Sequence, residues 1–364
     1  MNVLEMKISK YRNLKPETLT FSKGINFICG KNAQGKTNII EALWMFTGAR
    51  SFRGVKDAFL VNFEETAAAL EGKFFLEDRE QTVSIYFDEG KRSAFLNGVQ
   101  QSYPTKIIGT IRAVLFSPVH LALIKGGPEN RRKFLDAAIC QLKPTYTALL
   151  IRYNQTLRHR NALLKNIFYQ NHLEKTLDIW DEKLTVCGSL ITKQRLEYLE
   201  TLKKHAHKTY DEISNKKEKL EIYYNASVLK KENGETLAQN LKTKLEKARA
   251  GDIKTGTTAV GPHKDDLDLL LDGKSARQFS SQGQQRSIAL ALKLAEAALL
   301  EEKTGEAPLL LFDDVMSELD ASRQSYLLNK IKNCQVFITS CDDTLSKRIK
   351  NVKIFKVEQG KVVE

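Results

Sequence analysis

Residues 29–38, CGKNAQGKTN, have the residue types and spacing of a phosphate-binding loop. Residues 30–37 fit the pattern G-x-x-x-x-G-K-[ST] without a mismatch. In that pattern successive backbone N–H groups surround a phosphate, Lys36 reaches its outer oxygens and Thr37 ligates Mg²⁺. The sequence therefore predicts a nucleotide-phosphate site with magnesium. Its candidate binding residues are Gly30, Lys31, Asn32, Ala33, Gln34, Gly35, Lys36 and Thr37.

A magnesium site also needs a carboxylate, and residues 309–320, LLLFDDVMSELD, supply one. Four apolar residues predict a buried strand, and Asp313 and Asp314 follow at its end. Asp313 would then hold Mg²⁺ through water, and Asp314 lies where a carboxylate could polarise an attacking water. We predict Lys36, Asp313 and Asp314 as the catalytic residues. The alternative is an ordinary strand that runs into an acidic turn.

The segments on either side of the glycine loop are those that a phosphate site requires. GINFIC, before the loop, is a short apolar run of strand type, and TNIIEALWMF, after it, places four apolar side chains on one helical face. Strand, loop and helix therefore come in the order that turns a helix N-terminus toward a phosphate.

The glycine loop and the acidic strand are too far apart in the chain for one compact P-loop domain, which indicates an inserted unit. Residues 58–103 alternate in strand fashion with a turn at 88–90, and residues 144–191 show the helical spacing of a hairpin. Helices of about 45 residues reach roughly 65 Å, so no long coiled coil is expected. The prediction is an α/β nucleotide-binding lobe from residues 1–120 and 255–364, which includes the β-rich extension 58–103, and an inserted, mainly helical lobe at 121–254.

Composition limits the class of protein. The first twelve residues carry four charges and no apolar core, and the 364-residue chain has no run of about 18 apolar residues. We therefore expect a soluble, cytoplasmic protein that is not associated with a membrane. Five cysteines, without a C-x-x-C spacing, make a disulfide framework or a zinc site improbable.

The net charge of +13 suggests a polyanionic partner. Residues 129–249 hold 24 Lys and Arg against 15 Asp and Glu, so one third of the chain carries most of the excess. A DNA-binding surface and a solvated helical surface rich in lysine explain this charge equally well.

A second polar segment, FSSQGQQRSIALALKLAEAALLEE, precedes the acidic strand. Ser281 and Gln284 form an S-x-x-Q capping box on a helix with an apolar face. The positive end of such a helix suits an anion. A well-capped core helix explains the cap and the apolar face equally well, but it does not explain the run of Ser, Gln and Gly.

SSQGQ resembles the signature motif of ABC-type ATPases, SELD at 317–320 resembles their D-loop, and the order of phosphate loop, signature and acidic strand is theirs. Within that superfamily the chain is most similar to the RecF family of bacterial recombination-repair ATPases. The supporting residues are YRNL at 11–14, GKNAQGKTNIIEA at 30–42, FSPVHLALIKGGPENRRKFLD at 116–136, VGPHKDDL at 260–267 and SQGQQR at 281–286.

This resemblance implies an ABC-type P-loop ATPase head, a mixed sheet with flanking helices, that binds ATP and Mg²⁺. In such ATPases the signature helix of one molecule caps the γ-phosphate held by another, so Ser281, Gly283 and Gln284 would face the ATP of the opposite protomer in a homodimer. Arg12 and Asn13 resemble family residues close to the nucleotide phosphates.

Three departures from the ABC pattern concern the rate of hydrolysis. Asp314 stands where many relatives have Glu, Thr339 and Ser340 stand where a switch histidine is usual, and Ser117 occupies the position of the Q-loop glutamine. We therefore expect a slow, DNA-dependent ATPase that acts as a switch.

The resemblance implies an ATP-gated DNA clamp in repair and replication restart. It would bind gapped or duplex-junction DNA and assist RecA loading with RecO and RecR. The alternatives are the ATPase part of a nuclease complex and, less favoured, the ATPase subunit of a membrane transporter.

Two further groups of residues leave their roles open. His263, in GPHKDD, has no second histidine nearby, which favours a turn residue over a metal ligand. Arg131 and Arg132 are either DNA contacts or solvent-facing residues at the start of a helix.

Overall fold

The computed structural model describes residues 1–167, 169–229, 236–342 and 351–363. The strands are β1 Asn2–Ser9, β2 Glu17–Thr20, β3 Ile25–Cys29, β4 Ala67–Leu76, β5 Arg79–Asp88, β6 Lys91–Leu96, β7 Val99–Gln100, β8 Ala113–Phe116, β9 Leu220–Asn225, β10 Asp266–Leu271, β11 Lys274–Ser275, β12 Leu309–Asp313, β13 Val336–Ser340, β14 Val352–Glu358 and β15 Lys361–Val363. The helices are α1 Lys36–Met45, α2 Ala122–Lys125, α3 Pro128–Leu142, α4 Pro144–Ile167, α5 Leu177–Ser214, α6 Leu237–Thr255, α7 Ala276–Phe279, α8 Gln282–Thr304 and α9 Ala321–Lys330.

A mixed sheet with the strand order β15-β14-β3-β13-β12-β8 lies at the centre of the fold. Its neighbouring strands from β14 to β8 are parallel, and β15 is antiparallel to β14. Every residue of β12 and β13 is buried, as expected for parallel strands covered on both faces, and this burial explains the apolar residues with which both strands begin. The carboxyl ends of β3, β12 and β13 consequently meet at one edge, where ligands bind in such sheets. The predicted α/β class is confirmed.

An antiparallel sheet with the order β2-β1-β4-β5-β6-β7 packs beside the central sheet. Strands β5 and β6 join through Glu89 and Gly90, in the turn that the sequence predicts. Strand pairing in the predicted extension covers residues 67–100, whereas residues 57–60 form a 3₁₀ turn. Side chains from this sheet and from α1 share one apolar core.

The helical part of the chain is built on α4 and α5, which pack along each other, and α5 also packs on α8. At 38 residues, α5 is about 57 Å long. Across the described ranges, no longer helix and hence no long coiled coil is present. Strand β9, inside the predicted helical lobe, pairs with β10, which lies beyond its boundary. The division at residues 120 and 255 stays a prediction. Of the helices that the structure describes, none combines the length and apolar character needed to cross a membrane.

The C-terminal hairpin β14–β15 is fastened to the phosphate loop. Its turn residue Gly360 donates from its backbone N–H to the Gln34 carbonyl at 3.0 Å and accepts from the Lys15 N–H at 2.8 Å. Gly360 has φ 78°, and a Cβ atom placed there would lie 1.9 Å from the Asn13 carbonyl oxygen. Glycine is therefore required both by the backbone conformation and by the close approach.

Substituting Gly360→Ala will destabilise the protein more than the same change at Gly98. Gly98 also has a positive φ, 79°, but a Cβ atom there meets nothing within 4 Å. Gly98→Ala therefore isolates the conformational cost, roughly 1–2 kcal/mol. Gly360→Ala adds the steric overlap, and we expect a total loss on the order of 3–5 kcal/mol in urea denaturation. Equal losses for the two variants would contradict the close contact.

Candidate nucleotide-binding site

The phosphate loop lies between β3 and α1, at the sheet edge where β12 and β13 also end. It borders a cleft of about 270 Å³. The cleft is lined by Asn32, Ala33, Gln34, Gly35, Lys36, Thr37, Asn38, Arg53, Asp314, Thr339 and Cys341. Six of the eight predicted loop residues therefore line one cleft. The other two, Gly30 and Lys31, accept hydrogen bonds from Lys36 at their backbone carbonyls.

Lys36 reaches back across the loop. Its Nζ donates to the Gly30 carbonyl at 2.7 Å and to the Lys31 carbonyl at 2.8 Å, and it lies 3.4 Å from the sulfur of Cys341. The side chain is only 7 % exposed. Its hydrogen-bond partners within the described residues are all uncharged, so its positive charge is available to a phosphate at the mouth of the loop.

Thr37 and Asp313 come together although they are 276 residues apart. The Thr37 hydroxyl donates to Asp313 Oδ1 at 2.8 Å, and the Thr339 hydroxyl donates to the same oxygen at 3.0 Å. Asp313 is buried, which raises the pKa of its carboxyl group, and these two hydrogen bonds oppose the rise. A threonine hydroxyl and a carboxylate oxygen in contact are the hard ligands that Mg²⁺ prefers, so the residues fit this metal.

The described residues contain no group of three or more His, Cys, Asp or Glu side chains able to cage a metal. A magnesium ion at Thr37 and Asp313 would therefore take its other ligands from phosphate and water, which is its usual arrangement in nucleotide sites.

Asp314 turns away from the strand that carries Asp313. Its φ of 54° lies in the left-handed region, and its N–H donates to the Thr339 hydroxyl at 2.9 Å. This turn places the exposed carboxylate of Asp314 on the wall of the cleft, where Ser317 Oγ lies 3.3 Å from it. Thr339, at the predicted switch-histidine position, therefore holds Asp313 and Asp314 in place through two hydrogen bonds. Ser340 is buried at the end of β13.

The predicted phosphate contacts Arg12 and Asn13 have different surroundings. Asn13 Oδ1 accepts a hydrogen bond from Asn38 Nδ2 at 2.6 Å, which brings Asn13 to the first turn of α1. Arg12 instead donates from Nε and Nη2 to the two oxygens of Glu41, at 2.9 and 3.0 Å. Its planar donor pair is thus occupied by a carboxylate on α1.

Sequence reasoning missed three residues of this region: Glu41, Arg53 and Cys341. Glu41 is fully buried and also accepts from the Ser51 hydroxyl. The sequence did contain a signal for Glu41, because this acidic residue interrupts the apolar face of α1 in IIEAL. Arg53 donates to Asn38 Oδ1 at 3.0 Å from the loop that follows α1, and no sequence pattern indicates that contact.

The predicted signature residues lie at the N-terminus of α8. Ser281 N donates to Gln284 Oε1 at 2.6 Å and Gln284 N donates to Ser281 Oγ at 3.2 Å, so the capping box is confirmed. Gln284 Nε2 also donates to Glu218 Oε1 at 2.7 Å. The residues that line the described cleft include none of Ser281, Gly283 and Gln284. One chain by itself therefore does not bring the two halves of the predicted site together.

Ser117, at the predicted Q-loop position, directly follows β8. Its N–H donates to His120 Nδ1 at 3.1 Å. Burial lowers the pKa of His120 well below its usual value, and the charge of Lys293 lowers it further. His120 is thus held neutral as the hydrogen-bond acceptor of Ser117.

The open roles of His263 and Arg131 are settled by their contacts. His263 lies in a 3₁₀ turn, and its Nε2 must donate to the Thr258 carbonyl at 3.0 Å, so its Nδ1 accepts from the Tyr153 hydroxyl at 2.6 Å. The turn interpretation is confirmed. Arg131 is buried and makes a bidentate ion pair with Asp266, at 2.6 and 2.8 Å.

Arg131 therefore holds α3 against β10 and is neither a solvent-facing residue nor accessible to DNA. Arg132 is partly exposed and donates to the Asp265 carbonyl at 2.7 Å.

Replacing Glu41→Gln will destabilise the protein far more than Glu129→Gln. Glu41 is the buried partner of Arg12, whereas Glu129 pairs with Lys133 on an exposed helix surface. Breaking a buried pair leaves a charge without compensation and costs about 3 kcal/mol, while an exposed pair is worth less than about 1 kcal/mol. Urea denaturation of both variants checks this expectation. A loss at Glu41 as small as that at Glu129 would show that the Arg12 pair is dispensable.

Lowering the pH will weaken the wild-type protein more steeply than a His120→Asn variant. The pKa of His120 is lowered in the folded state, so below about pH 6.5 the unfolded chain binds a proton that the folded chain does not. Stability is therefore lost as pH falls from 6.5, by at most about 1.4 kcal/mol per pH unit from this group. Thermal unfolding of both proteins between pH 7.5 and 5 measures the difference. Parallel curves would show that His120 is protonated equally in both states.

Comparison with known proteins agrees with this geometry. The family described as RecF/RecN/SMC N terminal domain matches residues 2–363. The DNA replication and repair protein RecF of Caldanaerobacter subterraneus subsp. tengcongensis is 42% identical over the whole of both chains. The same-named protein of Streptococcus equi subsp. equi is 39% identical and covers 100% of this chain and 98% of its own length.

Solved structures give the same result. A structure of the recombination mediator protein RecF-ATPrS in the RecFOR pathway has a TM-score of 0.91 and 41% identity, and the match covers 99% of this chain and 97% of that one. An SMC head domain from Pyrococcus furiosus shares the fold alone, at a TM-score of 0.57 and 17% identity. The predicted ABC/SMC-type ATPase head is thereby confirmed. The chain belongs to the RecF family.

Proposed function

We propose that this protein is an ATP-dependent DNA clamp and recombination mediator in repair and replication restart. It dimerises on ATP, binds gapped or duplex-junction DNA in the cytoplasm, and assists RecA loading together with RecO and RecR. The observation that carries the proposal is the contact of Thr37 with Asp313 beside Lys36, since these side chains fit a phosphate and a magnesium ion. The RecF relatives, named for DNA replication and repair, support the nucleic-acid part.

The nucleotide site divides its tasks among the residues of the cleft. The loop from Gly30 to Thr37 holds the phosphates, and Lys36 neutralises their outer oxygens. Thr37 would ligate Mg²⁺ and Asp313 would hold it through water, and the ion would supply positive charge to the phosphates. Asp314 accepts a hydrogen bond from the attacking water and orients it, because its carboxylate faces the cleft.

The proposed dimerisation is supported by the separation of the two half-sites within one chain. The signature end of α8 presents Ser281, Gly283 and Gln284 at a capped, positively poled helix N-terminus outside the chain's own cleft. We propose that it covers the nucleotide of a second copy, in a twofold arrangement with two ATP molecules. Moving the monomer–dimer balance from 1:99 to 99:1 takes about 5.5 kcal/mol, or roughly 2.7 for each nucleotide. A few charge-assisted hydrogen bonds to each γ-phosphate supply that amount.

Slow hydrolysis is supported by the positions of Asp314 and Thr339. Asp314 has one methylene fewer than glutamate and is fixed in a turn, so its reach into the cleft is short. The Thr339 hydroxyl is committed to Asp313 and Asp314. With no histidine among the residues that line the described cleft, fewer groups stabilise the departing phosphate. ADP lacks the γ-phosphate, and hydrolysis therefore releases the clamp.

Sedimentation and duplex-DNA binding, each measured with ATP and with ADP, test the proposal. We expect ATP to produce dimers that bind DNA, and ADP to leave monomers. Lys36→Ala removes the phosphate contact, whereas Ser281→Arg leaves the cleft intact and blocks the partner face. Both variants should therefore lose dimers, but only Lys36→Ala should lose ATP binding. ATP-loaded monomers, or turnover as fast as that of transport motors, would contradict the switch.

A further inference from the structure

A groove of about 830 Å³ lies beside the phosphate loop, between that loop and the hairpin β14–β15. Four lysines line it, and among the described residues that line it the only acidic side chain is Glu358. We call it the lysine groove. Its lysines are Lys15, Lys31, Lys356 and Lys361.

Strand geometry explains why the hairpin contributes charge to this surface. Side chains alternate along β14, so that Phe355 and Val357 enter the core while Lys356 and Glu358 face outward. Lys361 lies directly opposite Glu358 on β15 and shares its face. The hairpin thus presents a continuous charged face to the groove.

The charge of the four groove lysines is unpaired in the part of the chain that the structure describes. Within the described ranges, none of them has a carboxylate oxygen within 4 Å. The basic helical region differs, because several of its arginines are neutralised internally. Arg160 pairs with Asp181 and Asp252, and Arg195 pairs with Asp136. Concave surfaces with unpaired charge of one sign attract polyions of the other sign.

The hairpin that forms one wall of the lysine groove contacts the phosphate loop directly. Besides the bond from Gly360, the N–H of Gln359 donates to Gln34 Oε1 at 2.5 Å. On the other side of the loop, a Cβ atom at Gly30 would lie 2.4 Å from the Val357 carbonyl oxygen. The hairpin and the loop are therefore in contact at both ends, and Lys31 of the loop lines the same groove as the hairpin lysines.

We propose that the lysine groove binds the phosphate backbone of DNA and transmits that binding to the phosphate loop through the hairpin. This inference rests on the proposed function, which supplies DNA as the partner. Lysine ammonium groups act as point charges for phosphates, without the planar geometry that arginine offers to carboxylates. A groove of this size with four lysines fits several backbone phosphates, which favours nucleic acid over a single anion.

The double variant Lys356→Ala/Lys361→Ala tests the groove. Both side chains are exposed and neither lines the nucleotide cleft. We expect ATP-loaded variant protein to bind duplex DNA at least tenfold more weakly. The slope of log K against log salt concentration should become shallower by about 0.9 for each phosphate that the variant no longer neutralises. Basal ATP hydrolysis should be unchanged, whereas its stimulation by DNA should disappear. Fluorescence anisotropy over a range of salt concentrations and a phosphate-release assay measure these effects.

Lys242→Ala/Lys247→Ala is the matched control. These two lysines are exposed on α6, inside the basic helical region, and are likewise without a carboxylate within 4 Å in the described structure. DNA binding by this control should stay within about twofold of wild type.

If the wild-type protein binds duplex DNA and Lys356→Ala/Lys361→Ala binds it equally well, the groove assignment is overturned while the proposed function stands. Absence of ATP-dependent DNA binding by the wild-type protein would overturn both. Sedimentation without DNA shows whether the variant has lost DNA binding only because it no longer forms dimers. Loss of ATP-dependent dimers in Lys356→Ala/Lys361→Ala would show that the groove receives an acidic surface of a second copy, which also overturns the assignment.

Discussion

The hydrogen bond from Thr37 to Asp313 is the contact on which the rest of the structure depends. It joins the start of α1 to the end of β12, and the parallel pairing of β3, β13 and β12 brings those two points together. Because both strands beside β3 come from the last third of the chain, the site forms only when the N-terminal and C-terminal parts fold together. Thr339, on the intervening strand, completes the arrangement by bonding to Asp313.

The helical part of the chain is joined to the signature helix by a shared apolar core. Buried side chains from α3, α4 and α5 pack with those of α8, including Ile288, Leu292, Ala295 and Leu299. Buried arginine pairs fix the surrounding elements, since a buried charge without a partner is costly. The helical region is therefore packed directly on the helix whose N-terminus forms the proposed dimer surface.

Charge in this chain has two separate uses. Arginines of the basic region, such as Arg131 and Arg195, form bidentate pairs with aspartates and hold elements together. Lysines such as Lys356 and Lys361 stay on the surface without carboxylate partners in the described structure, and their charge is available to a partner. Net charge along the sequence does not distinguish these uses, because pairing depends on residues that are distant in the chain.

The sequence by itself determined the phosphate loop, the buried acidic strand, the capping box at Ser281 and the α/β class, because each rests on local spacing and periodicity. It also led correctly to a turn role for His263. Only the tertiary structure decided that Arg12 pairs with Glu41, that Arg131 is buried against Asp266, and that the C-terminal hairpin contacts the phosphate loop. Those contacts join residues far apart in the chain, and their partners are fixed by strand order and packing, which no local pattern encodes.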